Sequence, residues 1–519
     1  MAAQKNRVLS YGFACGAGVF LAFWLLPAGF LWPAQGRDWR PVGDLAQHII
    51  AQRYFLADAW RWPPLLAAPL GEGGTNIAFA DGIPLLALAL KPLAPLLPAG
   101  FHGIGLWHAV VLVAQPLAAV WCLRAAGERR LLPAFGVALA ALATPAWLAR
   151  HGHAALMGQA TLFLALGASL AAARAPGFRH APWQAALLVG TLLIHPYLAL
   201  MVLALLAAAP LTLFLKRDPL LPVGVLVFGF ALAAMAAVMG AFGYLGARGD
   251  PGFFGDFAMN LLSPAWPAHA ALLPLGLAEV SATGRSGWEG YNWLGAGLWL
   301  GLLGVLLLAR REAAAMLAAH PGLALAALGL TALAVSTRIG AGPVVLLDLP
   351  APAALDQFRA SGRFFWPVSA LLLIGTAVLL ARRAPWLVLL LGLVQVADAQ
   401  PHRAALAAWA ARETPWSFDA AALRAELAEA DRLVVLPSWP CIAPEDWRMQ
   451  ERVQEVLTLA SETAIPVNTM HVARWRGERR CTDAALPPPR HGELRVRVTP
   501  PPEGETCRAS GALWLCRAG

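Results

Sequence analysis

Residues 8–31 read VLSYGFACGAGVFLAFWLLPAGFL, without a charged side chain. A run of this kind exceeds the ~20 apolar residues that cross a ~30 Å hydrocarbon layer. Lys5 and Arg7 stand just before it. It is too long for the apolar core of a signal peptide, and no small-x-small cleavage site follows, so it reads as a retained anchor. Comparable runs recur as far as residue 400. The chain of 519 residues is 59% hydrophobic and 13% charged, with a mean hydropathy of +0.59. That balance exceeds what a soluble core needs and points to an all-α polytopic membrane protein.

The net charge of +9 is not a nucleic-acid signature. Lys5, Lys91 and Lys216 are the only lysines, and many arginines sit in short loops between apolar runs. Such clusters report orientation. Lys5/Arg7, Arg124/Arg129/Arg130, Arg174/Arg179, Lys216/Arg217, Arg310/Arg311 and Arg382/Arg383 all fall on one side if the spans lie near 8–31, 104–123, 132–149, 155–173, 183–196, 198–215, 220–242, 293–309, 318–337, 366–381 and 385–399. The expectation is thus about 11 spans, the N-terminus cytoplasmic and the C-terminus periplasmic. The proline-broken stretch 83–98 reads as a membrane-embedded or interfacial helix.

Three external regions follow: 32–103, 243–292 and 338–365. Residues 1–401 form the membrane domain. From residue 402 to 519 charges rise and apolar runs shorten. LRAELAEADR reads as a helix, and RLVVLPS, ELRVRVTP and ALWLCRA read as strands, which predicts a small α+β domain. Cys441, Cys481, Cys507 and Cys516 all lie in it. Their even number fits two disulfides in an oxidising compartment, with three pairings open, whereas the absence of CxxC argues against zinc.

The first external region opens with RDWRPVGDLAQHIIAQRYFLADAWRW, residues 37–62. From Asp44 to about Trp60 the pattern is helical, with Leu45, Ile49, Leu56 and Trp60 on one side and Asp44, Gln47 and His48 on another. Trp39, Trp60 and Trp62 suit the headgroup level, so the helix is expected to lie flat on the membrane surface. Asp44 with Gln47 matches a capping box, which explains the acid without chemistry.

Four motifs carry a resemblance: GDLAQH, FADGIPLLALALKPLAPLLP, GHAALMGQ and FRASGRFFWP. With a first span, a long external loop holding an early Asp, and many later spans, the chain resembles the GT-C superfamily of membrane glycosyltransferases. The motifs look like a bacterial polytopic branch of it that has a C-terminal periplasmic domain, and whose own activity is inferred. The resemblance implies a protein of the bacterial inner membrane. It would move a sugar from a polyprenyl-phosphate donor to an envelope glycan, lipid or protein acceptor on the outer face. It also implies that Asp44 lies beside the acceptor. Many relatives carry paired acids, and here Gly43 replaces the partner. No redox cofactor or nucleotide fold is expected, and a divalent cation is left open.

Inverting transfer needs a carboxylate to accept the acceptor's proton and cations to hold the departing phosphate. Arg359 and Arg363, i and i+4 before a span, suit the phosphate; snorkelling or pairing with Asp356 is the plain alternative. Asp81 is a second acid, though an Asp-Gly turn accounts for it. His48, His195 and Tyr197 are candidate substrate contacts. His151 and His153 form a weak metal motif at a helix end. Asp250, Asp256, Glu289 and Asn292 are candidate sugar contacts, and Trp288, Tyr291 and Trp293 candidate stacking residues or members of an interfacial belt. Two other functions fit the composition: a transporter or flippase, and a non-catalytic envelope-assembly scaffold. Spans nearly free of charge, with polar residues crowded on one face, weigh against alternating access.

Overall fold

The computed structural model describes residues 2–33, 40–245, 253–281, 287–472, 475, 479–482, 486–488, 490–503 and 505–517. Every apolar segment read from the sequence is helical, but not every one is long enough to cross. Seven helical segments have the length and apolarity of a span: Gln4–Leu25, Ile104–Ala125, Leu131–Leu148, Ala154–Arg174, Pro196–Leu215, Leu221–Ala241 and Ser361–Arg383. Arg310–Ala319 and Pro321–Val335, bent by 94° at His320, make an eighth if the pair counts as one. Helices Ala181–Ile194, Ala296–Leu308 and Pro385–Asp398 have 14, 13 and 14 residues. At ~1.5 Å per residue each rises only about 20 Å, short of the hydrocarbon thickness. The expected eleven spans therefore reduce to seven or eight on length and composition. The first helix also stops at Leu25, two residues before Pro27, and a separate turn covers Ala28–Leu31.

These helices pack closely where glycines replace side chains. Gly136 and Gly392 face each other across helices Leu131–Leu142 and Pro385–Asp398, and a Cβ at either position would overlap the other helix's backbone. The basic clusters gather at one end of the bundle. Arg383 pairs there with Glu312, and Arg174 donates to the Ala125 carbonyl at 3.0 Å. The proline-broken stretch forms helix Pro84–Leu90 and a 3-10 continuation, Lys91–Leu96.

At the opposite end lies helix Asp44–Ala57. It is no surface helix: ten of its fourteen residues are buried, polar His48, Gln47 and Gln52 among them. Lys91, itself 4% exposed, donates to the carbonyls of Phe55 and Asp58 at its C-terminus. An ammonium there satisfies acceptors that the helix leaves open and opposes the negative end of its dipole. Trp60 and Trp62 just beyond remain 58% and 74% exposed, as headgroup anchoring requires. Trp39 lies outside the described residues.

The tail covers this helix. Its four-stranded sheet runs in the order Arg432–Leu436, Glu493–Arg497, Leu513–Arg517, Cys507–Ser510, with only the first pair parallel. Helix Trp447–Thr463 packs on Asp44–Ala57. Tyr54 donates to the Ile465 carbonyl at 2.7 Å, and Arg53 reaches Ser461 Oγ at 3.3 Å. Arg40 pairs with Glu455 at 2.9 Å. Of the three open pairings, the disulfides take Cys441–Cys481 and Cys507–Cys516, the second joining cross-strand neighbours.

Candidate functional site

Asp44 is the first residue of its helix. The N-cap is Gly43, whose side chain can cap nothing, so the capping box does not form and the carboxylate is left for other work. It sits within electrostatic reach of Glu289, Arg363, Arg150 and Arg359. Burial, with the Glu289 charge added, pushes its pKa up to about 6, although the three guanidiniums pull the other way. Asp81 is the second acid. Burial and the charge of Asp44 raise it to about 7, against the pull of Arg363. A pair of neighbouring carboxyls that titrate close to neutrality is a proton-handling arrangement.

The segment that carries Asp81 is strained and tied down. Asp81 and Ile83 have φ values of 51° and 49°, a conformation costly for a β-branched residue. His48 Nδ1 donates to the Asp81 carbonyl at 2.7 Å, and Gln52 donates to the Gly82 carbonyl at 3.1 Å. His48 Nε2 accepts the Ala154 N–H at 3.1 Å. Both of its ring nitrogens are thus occupied, and burial lowers its pKa to about 4, which keeps it neutral. His48 is a positioning residue for the Asp81 and His153 segments, not the free substrate contact expected from its place on the helix.

His153 and His195 face the Asp81 carboxylate through Nε2 at 3.6 and 3.7 Å. These separations are too long for hydrogen bonds. The three donor atoms lie within 4.8 Å of one another, as ligands of one ion would. His195 Nδ1, however, accepts the Tyr197 N–H at 3.1 Å, which places the neutral ring's proton on Nε2. Asp81 and His153 therefore fit a divalent cation as they stand, whereas His195 fits only with that contact broken. Burial holds His153 well below the usual imidazole range and His195 at about 3, with Arg363 adding to both shifts.

Arg363 is not the free phosphate ligand that its position predicts. Its guanidinium grips Glu289 through Nε at 2.9 Å and through Nη2, while Arg150 Nη1 reaches the same carboxylate at 2.9 Å. Burial alone would raise the Glu289 carboxyl, but the two cations hold it below its ordinary range. All three are buried, and the triad keeps one excess positive charge. Arg363 also lies 5.1 Å above the Tyr197 ring, whose hydroxyl accepts the Ala360 N–H at 3.3 Å. Arg359 remains exposed, stacked over Phe257 at 5.5 Å, and has no ion pair among the described residues, with Asp356 or otherwise.

The tail closes the site from above. Gln454 contacts the Gly43 carbonyl at 3.4 Å and His471 Nδ1 at 2.9 Å. Burial lowers His471 to about 3, and the charges of His48 and Arg359 contribute. The fold therefore brings Asp44, Asp81, His195, Tyr197, Arg359 and Arg363 into one electrostatic neighbourhood, with Arg150 and His471 added. Trp288 stays at the edge, under Arg150 at 4.7 Å. Tyr291, Trp293 and Asn292 are spent inside the protein, on the Ala268 carbonyl, on Asp398 and on the Gly362 carbonyl. Asp250 lies outside the described residues. Arg150 escaped the sequence reading: it is one of several external arginines, and its partner Glu289 lies 139 residues away.

No curated protein matches the chain. Residues 422–517 match the DUF6311 C-terminal domain. Residues 15–400 match the domain of unknown function DUF6311, and this membrane protein belongs to that family.

Proposed function

We propose that the chain is a GT-C-like glycosyltransferase of the bacterial inner membrane, with its site on the periplasmic face. One observation carries the reading: two carboxyls with pKa values near 6 and 7 meet an arginine-rich patch under the tail, at the end of the bundle away from the basic loops. The donor is a sugar on polyprenyl phosphate, and the acceptor is an envelope glycan, lipid or protein. In the step, the acceptor oxygen bonds to the anomeric carbon, and the bond from that carbon to the phosphate oxygen breaks. Asp44 takes the acceptor's proton, and polyprenyl phosphate leaves with the bonding pair. Arg359, exposed and unpaired among the described residues, meets the growing phosphate charge. The buried Arg150–Glu289–Arg363 triad supplies a fixed positive field behind it and tempers the rise of the Asp44 pKa.

Transport has less support. A cavity among the helices, where Gln115, Thr144, Gln159, Ser369 and Gln395 meet a mostly apolar lining, has about 20 Å³, room for roughly one water. Purified protein incubated with a panel of polyprenyl-phosphate sugars and followed by mass spectrometry tests the reading. The expected result is free polyprenyl phosphate with the sugar hydrolysed or transferred. Intact donor moved across proteoliposomes without cleavage would replace it with transport.

A further inference from the structure

A second polar cleft lies on the tail, apart from the carboxyl pair. Strand alternation builds its floor. Arg432 and Val434 on one strand, and Glu493 and Arg495 on its parallel neighbour, share the sheet face opposite Leu433, Val435, Leu494 and Val496, which are buried. Arg480, Arg490 and Trp475 line the cleft from the tail, and Glu72 lines it from the first external loop. Its cavity of about 280 Å³ is the size of a small ligand site.

The charge is unbalanced in a specific way. Four guanidiniums face two carboxylates. Arg495 pairs with Glu493 at 2.7 Å and Arg480 with Glu72 at 3.7 Å, and both ion pairs lie at the cleft. Arg432 and Arg490 remain as the excess. Among the described residues, Arg432 Nε and Trp475 Nε1 are both buried without a hydrogen-bond partner. Orphaned donors are rare because each forgoes hydration without compensation. An excess of guanidinium charge beside an indole suits a ligand that joins an anionic group to a ring able to stack.

We infer that this cleft binds an anionic saccharide, a short glycan whose carboxylate or phosphate meets Arg432 and Arg490 while a sugar ring lies on Trp475. Phosphate alone would leave the indole unused, and a neutral glycan would leave the guanidiniums unmatched. A smaller cavity of about 10 Å³ adjoins the cleft, shares Glu72 and Trp475 with it, and is lined by Thr75, Asn76 and Phe79 of the loop that leads into Asp81. The cleft and the second acid thus share one external loop, which makes the cleft an outer subsite for the acceptor chain. Binding stands by itself; only its designation as the acceptor's arm rests on the transfer reading.

Calorimetry on the full-length protein in detergent, without donor, tests this with trigalacturonate, maltotriose and inorganic phosphate. Trigalacturonate is expected to bind at least roughly tenfold more tightly than either of the others, and to weaken as salt rises. Arg432→Gln is expected to weaken it roughly tenfold or more, as loss of a charged hydrogen bond does. Arg490→Gln, at an exposed position, repeats the test if the strand variant does not fold. Asp44→Asn should bind trigalacturonate as the wild type does, so an absence of transfer leaves this result untouched. Equal affinity for maltotriose or phosphate, no binding at all, or unchanged affinity in both arginine variants would overturn the inference.

Discussion

Asp44 and Asp81 hold their protons at pH values where an ordinary carboxyl has lost them. The folded pKa values, about 6 and about 7, lie above the ordinary aspartate value of 3.8. Their contribution to stability is therefore fully present below about pH 4 and is lost as pH rises through 6 and 7, because charging them is easier in the unfolded chain. Asp81→Asn, which mimics the protonated acid, should raise Tm at pH 8 and leave it near wild type at pH 4; a lower Tm at pH 8 would point to an ionised Asp81 held by a cation. Arg359→Gln should raise the donor KM roughly tenfold or more, the cost of one charged hydrogen bond, without moving Tm. In the sequence each of these residues has a plain structural reading, a helix cap for Asp44, an Asp-Gly turn for Asp81 and snorkelling for Arg359, and the resemblance carried by the GDLAQH motif is what singles out Asp44. The sequence could not show that Arg363 is already spent on Glu289, since 74 residues separate them. Nor could it show that His48 ties two loops together rather than touching substrate, a contact that spans 106 residues.

At the level of elements, the buried ion triad joins three segments distant in sequence: the turn after Leu148, the second external region and the entry to helix Trp366–Arg383. Glu289→Gln leaves two guanidiniums buried against each other. It should cost roughly 3–5 kcal/mol, whereas Arg150→Met leaves a neutral pair and should cost markedly less. Thermal denaturation of the two variants orders them, and a larger loss for Arg150→Met would contradict this account of the triad. Helix existence was read well because long apolar runs leave little choice. Hydropathy does not set how many of them cross, since it does not register that three of the helices have only 13 or 14 residues. Helix Trp447–Thr463 was missed, although WRMQERVQEVLTLASET places its apolar residues on one face. The burial of helix Asp44–Ala57 is not legible in its own sequence, because it comes from that missed element on one side and from the rest of the first external region, Asp81, Gly82 and Gly103 included, on another. Four tail segments were assigned correctly from local patterns, for which alternation and turn residues suffice.

Taken as a whole, the molecule is a helix bundle with its basic loops at one end and a tail clamped over the other, so the proposed chemistry sits at a seam between the two. The clamp depends on the tail keeping its shape. The Cys441–Cys481 disulfide closes a loop of 40 residues, worth roughly 4 kcal/mol in the chain-entropy model. A Cys441→Ser/Cys481→Ser variant should lose thermal stability and expose the tail to protease while the membrane helices stay intact. Alkaline phosphatase fused to the C-terminus should be active in cells and a green fluorescent fusion dark, as an external tail requires; the reverse pattern would place the site on the wrong face. The central claim is that Asp44 accepts the proton in sugar transfer. Wild type and Asp44→Asn, matched for Tm, are compared by mass spectrometry for release of polyprenyl phosphate from its glycosylated form. The account predicts a loss of roughly 10²-fold or more in the variant, with the wild-type rate falling as pH drops below about 6. An Asp44→Asn protein that turns over at the wild-type rate would contradict it.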